Sequence, residues 1–204
     1  LDAELMGGPL MLKYAKEGAH CTYIHVTQGR LEDPNATEEA KAAYLKSLLE
    51  QNKKAAEVLG GDTIWLGYVS SNMPSTQEFA ARLEDYFEKE KVELVITHWR
   101  GSMHPRHINT YDAVTTAVKN LRRKGNPIRL LYGETFEDLV GFIPQAYFVL
   151  TPEEQEQWFR GLKVYQVFNG EINDFPYIPY YTTNGKVRSI ECGSNGFTVN
   201  YMYA

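Results

Sequence analysis

The chain has 204 residues, of which 43% are hydrophobic and 23% charged, and its formal net charge is −5. That length and balance suit one α/β domain with a substantial core. The acidic charge speaks against nucleic acid or an anionic membrane surface as a main partner, since both reward a concentrated basic face; no apolar run reaches the ~20 residues that span a bilayer.

The sequence opens on Leu1-Asp2-Ala3-Glu4, before Gly7-Gly8-Pro9. Pro9 suits a first helical turn, where its missing N–H is harmless, so a helix is predicted over 9–16. An apolar run at 21–27 reads as a buried strand, followed by an amphipathic helix over 37–59 that Gly60-Gly61 stops. A second strand is predicted at 63–68, a helix at 75–91 and a third strand at 93–98. Then come a helix at 108–124, ended by Gly125-Asn126-Pro127, a strand at 128–132, a weaker one at 145–150 and a helix at 151–168. The tyrosine-rich tail, 175–204, reads as loops and short strands. Strands alternating with helices imply a mostly parallel sheet with helices on both faces, in a single domain over 1–204. Sites in such sheets form at the carboxyl ends of strands. Because the sequence starts on Leu1, within an element, a first strand is expected upstream.

Cys21 and Cys192 are the only cysteines. Cys21 reads as a small buried hydrophobe and nothing pairs the two, so a reduced, cytoplasmic setting is expected. Lys119, Arg122, Arg123 and Lys124 close a predicted helix, where they complement its dipole.

The densest polar constellation runs from Thr97 to His107: Thr97-His98-Trp99-Arg100-Gly101-Ser102-Met103-His104-Pro105-Arg106-His107. It follows an apolar strand directly. Pro105 disfavours helix at His104, while His107 opens the next helix, so the two imidazoles project differently. Such a cluster serves either plain hydrogen bonding or a metal. Asp2 is likewise either a helix cap or a ligand. A catalytic zinc takes three imidazole or carboxylate ligands and keeps a position open for water. Asp2 and His107 would supply two; the third would come from His104, from His98 or from upstream of Leu1. Trp99, Arg100 and Arg106 are candidate substrate contacts beside this cluster, and Tyr111 reads as core.

Asp2-Ala3-Glu4-Leu5-Met6-Gly7-Gly8 resembles the second half of the PHPDDAE…GG motif of the zinc-dependent LmbE-like (PIG-L) N-deacetylase family. Thr97-His98-Trp99 with His104-Pro105-Arg106-His107 resembles that family's TH…HPDH motif. Val26-Thr27-Gln28-Gly29, Ala55-Ala56-Glu57-Val58-Leu59-Gly60 and Tyr132-Gly133-Glu134 with Glu137-Asp138 are similar to further family stretches, in the same order. The resemblance implies a Rossmann-like fold, with Zn2+ held by Asp2, His107 and a histidine three residues before Asp2. It implies that His104 assists the tetrahedral intermediate. The implied activity is hydrolysis of an N-acetyl group on an N-acetylglucosamine-type sugar or conjugate, a small-molecule substrate, by a homo-oligomer.

Two positions depart from the pattern. The family's general-base Asp is Leu1 here, and the Asp within HPDH is Arg106, which would lower the pKa of His104 rather than raise it. Either Glu4 substitutes as base, or the natural chain carries an Asp at the Leu1 position, or the chain binds metal or a sugar-like ligand without hydrolysis. The stretch 134–138 is either a solvated acidic turn or part of the site.

Overall fold

Local signals set the element boundaries. Thr37 caps a long helix, its side chain accepting from Ala40 N–H, and Glu38 and Glu39 sit in the first turn against the helix dipole. Gly60, at φ 77°, lets the chain leave that helix in a left-handed conformation. Ser75 with Glu78, and Thr151 with Glu154, form complete capping boxes at two further helix starts.

The structure is a computed structural model that describes residues 1–29, 31, 33–171 and 174–204. After a wide π turn at Ala3–Gly7 come α1 (Gly8–Lys16), β1 (Thr22–Thr27), α2 (Glu38–Val58), β2 (Asp62–Tyr68), α3 (Thr76–Lys89), β3 (Leu94–Thr97) and α4 (Pro105–Arg123). They are followed by β4 (Arg129–Gly133), β5 (Ala146–Leu150), α5 (Pro152–Leu162), a 3-10 turn at Gln166–Asn169, α6 (Tyr177–Glu191) and β6 (Phe197–Tyr203). This is the α/β alternation predicted. Among the described residues, no helix is long and apolar enough to cross a membrane.

The chain divides into two compact units. The first comprises Leu1–Ser70 and Phe148–Val199. In it β1 and β2 pair in parallel, Thr22 opposite Asp62 and Ile24 opposite Ile64. Its core gathers Leu5, Tyr23, Ala55, Ala56, Leu59, Trp158, Leu162, Tyr165, Phe168, Tyr181 and Phe197. Burying an aromatic side chain of this kind contributes roughly 1.5–3 kcal/mol. The Trp158 indole N–H donates to the Glu4 carbonyl at 3.0 Å, tying α5 to the π turn.

The second unit comprises Ser71–Tyr147 and Asn200–Ala204. β3 and β4 pair in parallel, and the end of β6 pairs antiparallel to β4, with Tyr132 opposite Met202. The sheet order is β3-β4-β6-β5. α3 and α4 pack together through Phe79, Ala80, Leu83 and Phe87 on one side and Ala113, Val114, Ala117 and Leu121 on the other.

Two expectations need correction. The tail is not loops: α6 buries Tyr181, Gly185 and Ser189, a four-residue spacing that the many flanking tyrosines mask. The segment 151–168 is not one helix; it stops at Leu162 and resumes as a 3-10 turn. Tyr165, fully buried, stands between the two.

Candidate metal centre

The carboxyl-end rule locates the chemistry in the second unit. β3 ends at Thr97 and delivers His98 directly. His104 stands just before α4 in extended conformation (φ −99°, ψ 113°), as expected ahead of Pro105, and His107 lies in the first turn of α4. The neighbouring parallel strand β4 ends at Gly133, and the turn that follows carries Glu134, Glu137 and Asp138.

The three imidazoles stack. The His98 and His107 rings lie 3.8 Å apart at 21°, and the His104 and His107 rings 4.7 Å apart at 26°. Asp138, with 0% of its surface exposed, reaches both inner rings. Its Oδ2 is 2.7 Å from His98 Nδ1 and its Oδ1 is 2.8 Å from His107 Nδ1. Burial by itself would push the Asp138 carboxyl up, but hydrogen bonds from His107 and His98 hold it well below the usual carboxylate range. An ionised carboxylate only accepts hydrogen bonds, so each Nδ1 is the protonated nitrogen. In the neutral imidazole each Nε2 is then a lone-pair donor. Imidazoles that ligate metals characteristically give their other N–H to a carboxylate in this way, so the donor set fits zinc.

Glu137, half-buried, brings Oε2 to 3.7 Å from His107 Nε2. Ser102 Oγ accepts from the His104 backbone N–H at 3.0 Å and stands 3.3 Å from His107 Nδ1. Arg106 places a guanidinium nitrogen 3.3 Å from His104 Nε2. A guanidinium only donates, so this Nε2 accepts and the ring proton sits on Nδ1.

Trp99 gives its N–H to the Val140 carbonyl at 2.9 Å and packs against Tyr111 and Tyr132 at 5.6 and 5.3 Å. Tyr132 is pushed up to about 12 by burial. Arg100 is exposed, with Nε 3.4 Å from Asp112. Gly101 is a close-approach position: a Cβ there would overlap the Val140 carbonyl and crowd the Trp99 indole. The loop after β3 and the turn after β4 are thereby locked together, with Val140 N–H donating to Gly101 and Met103 N–H to Glu137.

Asp2 lies in the first unit, half-buried at the start of the π turn, and its side chain makes no capping hydrogen bond there. Glu4, in the same turn, is fully buried, with Oε1 2.9 Å from His25 Nε2. Burial would raise the Glu4 carboxyl, but His25 beside it holds it below the usual carboxylate range. The Glu4 carboxylate thus faces His25 within the first unit.

Sequence reasoning singled out His98, His104 and His107 and left the 134–138 turn open, but gave no role to Asp138 as the partner of His98 and His107, nor to Ser102. Of the two readings of 134–138, a solvated turn or part of the site, Glu134 and Asp138 do not fit the first, since both are buried; Glu134 also accepts a hydrogen bond from Asn200. The available signal was an acidic turn at the carboxyl end of the strand beside β3.

The GlcNAc-PI de-N-acetylase (PIG-L) family matches residues 2–118, more than half of the 204. No curated protein matches the chain. Among solved structures, the zinc-inhibited form of teicoplanin deacetylase Orf2 aligns with a TM-score of 0.71 at 16% identity, over 99% of this chain and 94% of that one. N,N'-diacetylchitobiose deacetylase from Pyrococcus horikoshii aligns with a TM-score of 0.73 at 16% identity, over 100% and 79%. GalB, the 4-carboxy-2-hydroxymuconate hydratase from Pseudomonas putida KT2440, aligns with a TM-score of 0.76 at 15% identity, over 98% and 90%. These likenesses establish a shared fold. With its motif residues Asp2, His104 and His107 inside the matched segment, the chain belongs to the PIG-L family, also called LmbE-like.

Proposed function

We propose that this protein is a zinc-dependent N-deacetylase that hydrolyses the acetyl amide of an N-acetylglucosamine-type sugar or conjugate. The observation that carries this reading is the pair of buried imidazoles, His98 and His107, each held through Nδ1 by Asp138. The family match supports the reaction class. In this reading Asp2 and His107 hold the metal, as the motif implies. Bound zinc would lower the pKa of its water and polarise the amide carbonyl.

The chain's own residues do the rest. Leu1 cannot accept a proton and Glu4 is sealed against His25, so the reading takes Glu137 as the base that receives the proton of the attacking water. The same proton passes to the amide nitrogen as the C–N bond breaks, giving acetate and a free amine. His104 and Arg106 act on the developing oxyanion, the guanidinium supplying the positive charge while His104 Nε2 accepts from it. Trp99 and Arg100 border the sugar. A homo-oligomer and a cytoplasmic setting complete the reading, the latter supported by two unpaired cysteines.

A second reading, favoured by Leu1 at the base position, is a protein that holds metal or a sugar-like ligand without hydrolysis. Zinc content after chelator-free purification, with acetate release from N-acetylglucosamine derivatives, separates the two. Stoichiometric zinc and acetate release that Glu137→Gln abolishes support the enzyme. Zinc with acetate release only after Leu1→Asp supports the binding protein. Protein without zinc sinks the metal reading.

A further inference from the structure

The proposed metal reading leaves open how the imidazoles are aimed, and the inference below rests on that reading. We propose that Asp138 is a positioning residue that takes the Nδ1 protons of His98 and His107 at once, sets both rings in one tautomer, and thereby recruits His98 Nε2 beside His107 Nε2 as a ligand to one metal ion.

Three observations carry it. First, the two oxygens of one carboxylate are divided between two rings, at 2.7 and 2.8 Å, so neither ring can turn without losing its bond. Second, the stacked rings are 3.8 Å apart and 6% exposed, and with both Nδ1 atoms on Asp138 the two rings turn the same edge, Nε2, away from the carboxylate. Third, Arg106 stands where a carboxylate inside the HxxH segment would be and turns to His104. Asp138, arriving from the turn after β4, is the fully buried carboxylate that touches the other two histidines.

The alternative is a purely structural Asp138, pinning its own turn through its backbone bond to Thr135. The test uses the full chain. In metal-free wild-type protein, long-range nitrogen–proton NMR spectra should show His98 and His107 both as Nδ1–H. Asp138→Asn retains the shape but has one acceptor oxygen; its amide N–H faces the second ring and should flip that ring to Nε2–H. Zinc affinity, measured by chelator competition, should then fall about 10- to 100-fold with the melting temperature nearly unchanged. Wild-type spectra with either ring as Nε2–H overturn the proposal. So does an Asp138→Asn protein whose zinc affinity stays within twofold of wild type. Where Asp138→Asn does not fold, His98→Ala decides: a loss of similar size supports recruitment of His98, and unchanged affinity overturns it. Wild-type protein that binds no zinc defeats the metal reading itself, and the tautomer spectra still judge Asp138 separately.

Discussion

Two carboxylate–imidazole clusters, one in each unit, are built from the same chemistry and put to different use. In the first unit Glu4 meets a single ring, His25, at Nε2. In the second unit Asp138 meets two rings, each at Nδ1. The first arrangement is closed and the second keeps outward-facing lone pairs. Burial does not distinguish them, since both carboxylates are 0% exposed. What separates a structural pair from a candidate ligand set is which ring nitrogen the carboxylate takes.

The contrast can be broken most forcefully at Glu4. Glu4→Ala leaves His25 buried without its partner and should cost about 3–5 kcal/mol of stability, read from urea unfolding. If stability is kept while zinc is lost, the first cluster is not closed and the comparison fails. Next, Glu137→Gln should lower kcat for acetate release by about a hundredfold or more with zinc content unchanged. A fall in zinc content instead would make Glu137 a ligand. Gly101→Ala should destabilise by about 1–3 kcal/mol, because a methyl group must displace the Val140 carbonyl that locks the two site loops. A neutral result there would mean that the loops are not mutually braced.

The smallest effects come from a third carboxylate, Glu154, whose employment is only structural. Thr151→Ala removes half of its capping box and should cost about 1 kcal/mol. Burial raises the Glu154 carboxyl, but the Thr151 backbone N–H and Lys13 lower it below 4.5 overall. A depressed folded value means its contribution is present above 4.5 and lost as the pH falls through the folded value. The thermal penalty of Glu154→Gln should therefore be largest near neutrality and fade in acid. A penalty that grows on acidification would contradict this sign.

Much of this was legible in the sequence. Gly60-Gly61 and Gly125-Asn126-Pro127 placed the ends of α2 and α4 to within a residue or so, and the Pro105 rule put His104 and His107 on different backbone conformations. Asp138 was not legible as a partner, because its meeting with His98 spans 40 residues and depends on β3 and β4 lying side by side. Glu4 misled for a related reason. A carboxylate in a first helical turn resembles a solvated cap, and only the packing of β1 beneath it shows His25 taking its charge. Helix α6 escaped because burial of Tyr181, Gly185 and Ser189, rather than helix propensity, sustains it.

The Trp158 bond to the Glu4 carbonyl has a consequence for how this chain could be divided. The family match ends at residue 118, whereas Trp158 braces the turn that bears Asp2 and Asp138 braces the histidines. A fragment stopping at residue 118 would keep the Asp2 and His104–His107 motifs and retain neither brace. The vocabulary of the site is written early in the chain, and its grammar is supplied by side chains that come later.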